Sequence, residues 1–142
     1  MEFLNTKKGY IVRLAKGEKL FATLVTFCKD QSIKSGWLTG IGGFLEAELA
    51  FYNLGKKEYE LKKFELELEI ASLIGNVSLV GGDPYLHIHT VVSDNNFVCY
   101  GGHLKEATVG ATCEIFLSDF ELEIARKFDN EIGLKLLTCR ND

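Results

Sequence analysis

Along the chain, apolar and polar positions fall into two regimes. From Glu18 to about Gln31, Leu20, Leu24, Phe27 and Cys28 recur at the three-and-four spacing of an amphipathic helix, with Glu18 near its positive N-terminal end. Before it, Gly9 to Leu14 reads as a first strand closed by a turn at Ala15-Lys16-Gly17. After Gly36 the pattern becomes short apolar runs cut by glycine: 37–41, 46–54, 57–70, 73–80, 86–92, 97–104 and 107–117. Such runs predict consecutive antiparallel strands rather than helix-strand alternation. Phe64 to Ile70 alternates strictly, which predicts a half-buried strand with one acidic face. Turn residues separate the runs at Leu54-Gly55-Lys56, Gly75-Asn76, Gly81-Gly82-Asp83-Pro84 and Ser93-Asp94-Asn95-Asn96. The segment from Phe120 to Leu137 fits either a short helix or a strand pair around Asn130 to Gly133.

This pattern predicts an α+β chain (α/β in the broad sense). Its sheet is largely antiparallel and strongly curved, with about seven strands and one main helix near the N-terminus. With 142 residues, 46% of them hydrophobic, one domain spanning 1–142 with a core at about 9–137 is expected. No linker, repeat or low-complexity segment interrupts it.

Charge changes the picture by what it excludes. Twenty acidic against sixteen basic residues give a formal net of -4, and the arginines, Arg13, Arg126 and Arg140, are scattered, so DNA is a poorly supported partner. Cys28, Cys99, Cys113 and Cys139 form no C-x-x-C pair and the N-terminus shows no apolar signal segment; a reducing, cytoplasmic setting is expected. Cys28, Cys99 and Cys113 lie in apolar runs, where a thiol behaves as a small buried hydrophobe. No apolar stretch is long enough to span a bilayer, so no membrane partner is expected.

The candidate chemistry lies in the only three histidines, in His87-Ile88-His89 and Gly101-Gly102-His103. Alternate strand residues share a face, so His87 and His89 point together. In a hairpin symmetric about Asn95, His103 opposes His87 on that same face. A four-residue loop turns His103 away, and a bulge at Gly101-Gly102 would restore it. Three neutral imidazoles suit zinc or another divalent transition metal; the competing reading is rings hydrogen-bonded to backbone or lining an interface without metal. A zinc-dependent hydrolase or lyase would add a carboxylate base, for which Glu69, Asp83, Asp94 and Glu114 are candidates that no motif fixes. Glu69 and Glu114 sit among apolar residues and are expected to meet buried partners. Gly40-Ile41-Gly42-Gly43 lacks the Lys-Ser/Thr of a phosphate loop and reads as a bend with close backbone approach. Gly81 to His89 matches the spacing of a first cupin motif, but Ser93 and Asp94 stand where cupins need a Glu, and their second motif has no counterpart.

Four motifs in order, Gly36-Trp37-Leu38-Thr39-Gly40-Ile41-Gly42-Gly43, Glu69 to Asn76, Pro84 to His89 and Gly101-Gly102-His103-Leu104, resemble the plants-and-prokaryotes-conserved (PPC) domain from about Gly9 to Leu137. The resemblance implies a homotrimer whose signature histidines His87, His89 and His103 hold metal in some members. It also implies a small-molecule pocket near them, with Gly40, Gly42, Gly43, Glu69, Gly101, Gly102 and Glu114 as candidate lining. Plant members add an AT-hook, and bare prokaryotic members are often regarded as DNA-binding or transcription-regulating. This sequence contains no Arg-Gly-Arg-Pro core. Where plant members carry Gly-Arg-Phe-Glu-Ile-Leu, it has Leu66-Glu67-Leu68-Glu69-Ile70-Ala71, an acidic replacement that weakens a DNA role further.

Overall fold

Two sheets and one helix make up the computed structural model, which describes residues 1–139; Arg140 lies outside them. In chain order the elements are β1 (Glu2–Thr6), β2 (Gly9–Ala15), α1 (Leu20–Asp30), β3 (Gly36–Asn53), β4 (Glu58–Phe64), β5 (Leu68–Val80), β6 (Asp83–Ser93), β7 (Cys99–Asp119), β8 (Arg126–Asp129) and β9 (Leu134–Leu137). The main sheet has seven strands in the order β1-β2-β7-β6-β5-β3-β4, every paired neighbour antiparallel. An additional β7–β3 pairing closes β3, β5, β6 and β7 into a ring. The expected α+β class, antiparallel sheet and single main helix are all present.

Alternation sorts the strands into an inner and an outer face. Leu86, Ile88, Thr90 and Val92 of β6 are buried, and they join Leu38, Leu73, Val77, Leu104 and Ile115 in one core. Leu20, Leu24, Phe27 and Cys28 of α1 pack into this core, as the helical spacing predicted. The helix begins at Leu20, after Glu18, whose carboxylate accepts the Ala15 backbone N–H at 2.7 Å. Burial pushes the Cys28 and Cys113 thiols up to about 12, whereas Cys99, against expectation, is exposed because it starts β7 at the mouth of a loop.

Several boundaries differ from the sequence reading, for physical reasons. The runs 37–41 and 46–54 form one strand, β3, whose glycines mark register shifts rather than breaks; 97–104 and 107–117 likewise form β7. Gly40 and Gly42 flank such a shift, and a Cβ on Gly42 (φ +139°) would meet the Thr112 carbonyl, as the predicted bend with close approach requires. Gly75-Asn76 is not a turn. Gly75 sits inside β5, where β6 approaches so closely that a Cβ would clash with the His87 carbonyl. The run 57–70 is split, because its two pieces pair with successive stretches of the β3 edge that β7 leaves free, Phe64 with Ala47 and Leu68 with Phe44, and residues 65–67 form the link between them. Residues 120–137 contain a strand pair, β8–β9, and β1 was not anticipated.

Candidate metal centre

Strand alternation and one hairpin assemble the histidines. Tyr85, His87 and His89 of β6 share the outer face, while Leu86 and Ile88 enter the core. Ser93 pairs with Cys99, so the loop spans 94–98, and His89 opposes His103. This pairing is shifted by two residues from the symmetric one, which placed His103 opposite His87. A shift of two preserves the face, so the rings still converge, and pairing through Gly101 and Gly102 is regular, without the bulge considered.

One ligand nitrogen from each of His87, His89 and His103 lies within 4.8 Å of the other two. The His87 Nε2 to His89 Nε2 distance is 3.2 Å. Two nitrogens on one tetrahedral zinc, each about 2.05 Å from it, stand about 3.3 Å apart. His103 is buried, and its Nδ1 has no hydrogen-bond partner among the described residues, an orphaned buried polar atom of the kind that calls for an ion or ligand. Burial, reinforced by Arg126 and His89, pushes His87 down to about 4. His103 falls to about 4 as well, through burial and then through His87, Lys105, His89 and Arg126. Both rings are therefore neutral near pH 7, the state that ligates metal.

The walls come from residues the sequence reading did not select. Tyr59 of β4 stacks on His103 with ring centroids 5.0 Å apart, and Lys105 lies 4.7 Å from the Tyr59 centroid. Arg126 of β8 sits over the Tyr85 ring at 5.2 Å. It donates to Ser78 Oγ at 2.8 Å, Asn76 Oδ1 at 2.9 Å and the Lys135 carbonyl at 2.8 Å, and its Nη2 is 3.4 Å from His87 Nδ1. The β8–β9 hairpin is fixed above the sheet by Tyr52 donating to the Ile132 carbonyl and Lys57 to the Asn130 carbonyl. Tyr85 was legible by parity, being two residues before His87, whereas Asn76, directly across from His87, had the look of a turn residue. Arg126 had no local signal, since only tertiary folding brings the tail over the sheet.

The other candidates lie elsewhere. Gly42, Gly43 and Glu69 line a different cavity of about 680 Å³, with Asp94, Phe97 and Thr112. Gly101 borders a third, mostly apolar recess beside Tyr100 and Phe64, and Gly102 packs against the Ala50 carbonyl. Gly40 pairs with Leu73 and Ile115. Glu69 and Glu114 are exposed, contrary to the expectation of buried partners, because both take outward positions in their strands. Asp83 pairs with Lys29 at 2.8 Å, and Asp94 caps its loop by accepting the N–H groups of Asn96 and Val98. Among the described residues no carboxylate joins the three-histidine group.

A cavity of about 240 Å³ adjoins the cluster, lined by Tyr85, His103 and Lys105 and floored by Phe21 and Val25 of α1. It lies where β6 parts from β7, whose pairing ends at His89 and His103.

Known proteins resemble this chain in both sequence and fold. A candidate DNA-binding protein from Bacteroides thetaiotaomicron superposes with a TM-score of 0.94 at 31% identity, over 96% of each chain. A metal-containing protein from Archaeoglobus fulgidus superposes with a TM-score of 0.87 at 35% identity, also over 96% of each chain. The bifunctional protein GlmU of Synechococcus sp. is 30% identical over 127 residues, 87% of this chain, but the chain spans only 19% of that protein's length. Residues 1–121 match the family model of the Plants and Prokaryotes Conserved domain, abbreviated PCC or PPC, and the chain belongs to that family.

Proposed function

We propose that this chain is a metal-binding PPC-domain protein in which His87, His89 and His103 hold a divalent transition metal, with zinc the best fit to three imidazoles and an open fourth position. The observation that carries the reading is the buried, unpartnered Nδ1 of His103 within a cluster whose ligand nitrogens lie within 4.8 Å. The metal-containing relative from Archaeoglobus fulgidus supports it. When bound, zinc would act as a Lewis acid and lower the pKa of a bound water. No described carboxylate stands ready as a base, so metal and small-ligand binding is favoured over a zinc-dependent hydrolase or lyase.

The histidine face also supports assembly as a homotrimer. Trp37, Ile41, Ile74 and Phe116 are 43%, 57%, 41% and 54% exposed on that outward face, with Ile74 in register with His89. Buried, unpaired Cys28 and Cys113 support a reducing compartment such as the cytoplasm. Among the described residues no helix is long and apolar enough to cross a membrane. A second reading, DNA contact by the assembled surface, draws on similar proteins such as the Bacteroides one and is opposed by the net charge of -4.

Elemental analysis of untagged protein purified without chelator tests the metal reading. A stoichiometric transition metal is expected, lost in the triple His87→Ala, His89→Ala, His103→Ala variant with the circular dichroism of the fold retained. A metal-free wild type that binds added Zn²⁺ no better than the triple variant overturns it.

A further inference from the structure

Among the described residues the histidine cluster is flanked by basic groups and by no acidic one. Arg126 is half-buried and permanently charged, yet its four acceptors, Ser78, Asn76, the Lys135 carbonyl and His87, are all neutral. Among the described residues no carboxylate forms an ion pair with it. Buried charges normally have a partner of opposite sign, because desolvating one alone is costly. Lys105 adds a second cation over Tyr59 on the same side of the cluster.

Three neutral imidazoles cannot offset a divalent ion, so the loaded site would carry its charge together with that of Arg126, and among the described residues no protein anion balances either. Ligation through Nε2 also fixes the His87 proton on Nδ1, the atom facing Arg126 Nη2. That N–H then loses its acceptor. Together with the fifth guanidinium N–H, which has no partner among the described residues, it leaves Arg126 two donors for an incoming group. The adjoining cavity of about 240 Å³, which Tyr85, His103 and Lys105 line, lies below the range of drug-sized sites and suits a small molecule.

We infer that the site takes a small carboxylate, held by Arg126 beside the ion. The planar guanidinium matches a carboxylate edge, and its charge selects the anion over a neutral amide of the same shape. Tyr85 holds Arg126 from below, while Lys105 raises the local attraction for anions. This assignment rests on the metal reading above.

Cobalt-loaded protein titrated with glycolate, and separately with its neutral amide glycolamide, tests it through the visible cobalt spectrum. Glycolate is expected to give a saturable change and glycolamide none. Arg126→Gln should keep its cobalt and bind glycolate about tenfold or more weakly, as loss of a charged hydrogen bond implies, with Arg126→Lys in between. Equal response to glycolate and glycolamide in the wild type, or unchanged glycolate affinity in a folded Arg126→Gln, overturns the carboxylate assignment and leaves the metal reading standing. Failure of the wild type to take up cobalt overturns both. The wild-type comparison of the two ligands needs no variant, so a misfolded Arg126→Gln does not remove the test.

Discussion

Gly75 shows how one residue carries both fold and site. It stands opposite Ile88 in β5, and a Cβ there would lie 2.4 Å from the His87 carbonyl oxygen and 2.9 Å from Ile88 Cγ1. Gly75→Ala therefore forces β6 outward. The expected cost is about 1–3 kcal/mol, the usual range for overpacking, read as a lower urea midpoint, with weaker metal uptake because His87 moves with the strand. An unchanged midpoint would show that β6 yields freely. At this scale the sequence was informative about types and parity: scarce histidines at alternate positions share a face whatever their partners. It could not disclose Arg126 or Tyr59, whose place beside the cluster depends on which strands meet in space. The glycine of Gly75-Asn76 looked like a turn because close backbone approach and positive φ both favour the same residue type.

Among the elements, α1 was legible almost to the residue, since its apolar face is set by local periodicity. The strands were legible as apolar runs but not in length, because a glycine can shift the register of a continuing strand as easily as end it. The alternation of Phe64 to Ile70 fails at the strand boundary: Phe64, Leu68 and Ile70 point into the core, but Leu66, in the link between β4 and β5, is exposed. One contact ties the start of α1 to the sheet. Glu46 on β3 accepts from Lys19 at 2.7 Å and from the Thr108 hydroxyl of β7 at 2.6 Å. Those hydrogen bonds, with the charge of Lys19, pull its carboxyl from 4.5 to about 2. A carboxylate with a depressed folded-state pKa stabilises the fold above its unfolded value and loses that contribution as pH falls through the folded one. The stabilisation from Glu46 is thus present above pH 4.5 and fades toward about 2. Thermal melts across that window should show a shallower acid loss in Glu46→Gln than in the wild type; parallel curves would remove the contact from any stabilising role.

For the whole molecule, the feature that sequence patterning could not supply is the closure of the ring by β7–β3, a pairing between residues such as Ala50 and His103 that lie far apart along the chain. Curvature was foreseeable from the glycines, whereas closure is a property of topology. It leaves the outer face of β3, β5 and β7 bare where the β8–β9 hairpin ends. If that face is the assembly surface, sedimentation should show the wild type as a trimer. The double variant Ile41→Asp, Phe116→Asp should sediment as a monomer, since charged groups cannot be buried there unpaired. A monomeric wild type would reject the trimer. Trp37, the only tryptophan, belongs to this face and lies in register with Asn76, which is itself in register with His87. The protein thus carries a single indole, excitable apart from its tyrosines, between its bare surface and its histidines. Desolvation by a neighbouring copy would shift its emission to the blue, and a paramagnetic ion in the cup would quench it, so two separate events report through one indole by different optical signatures.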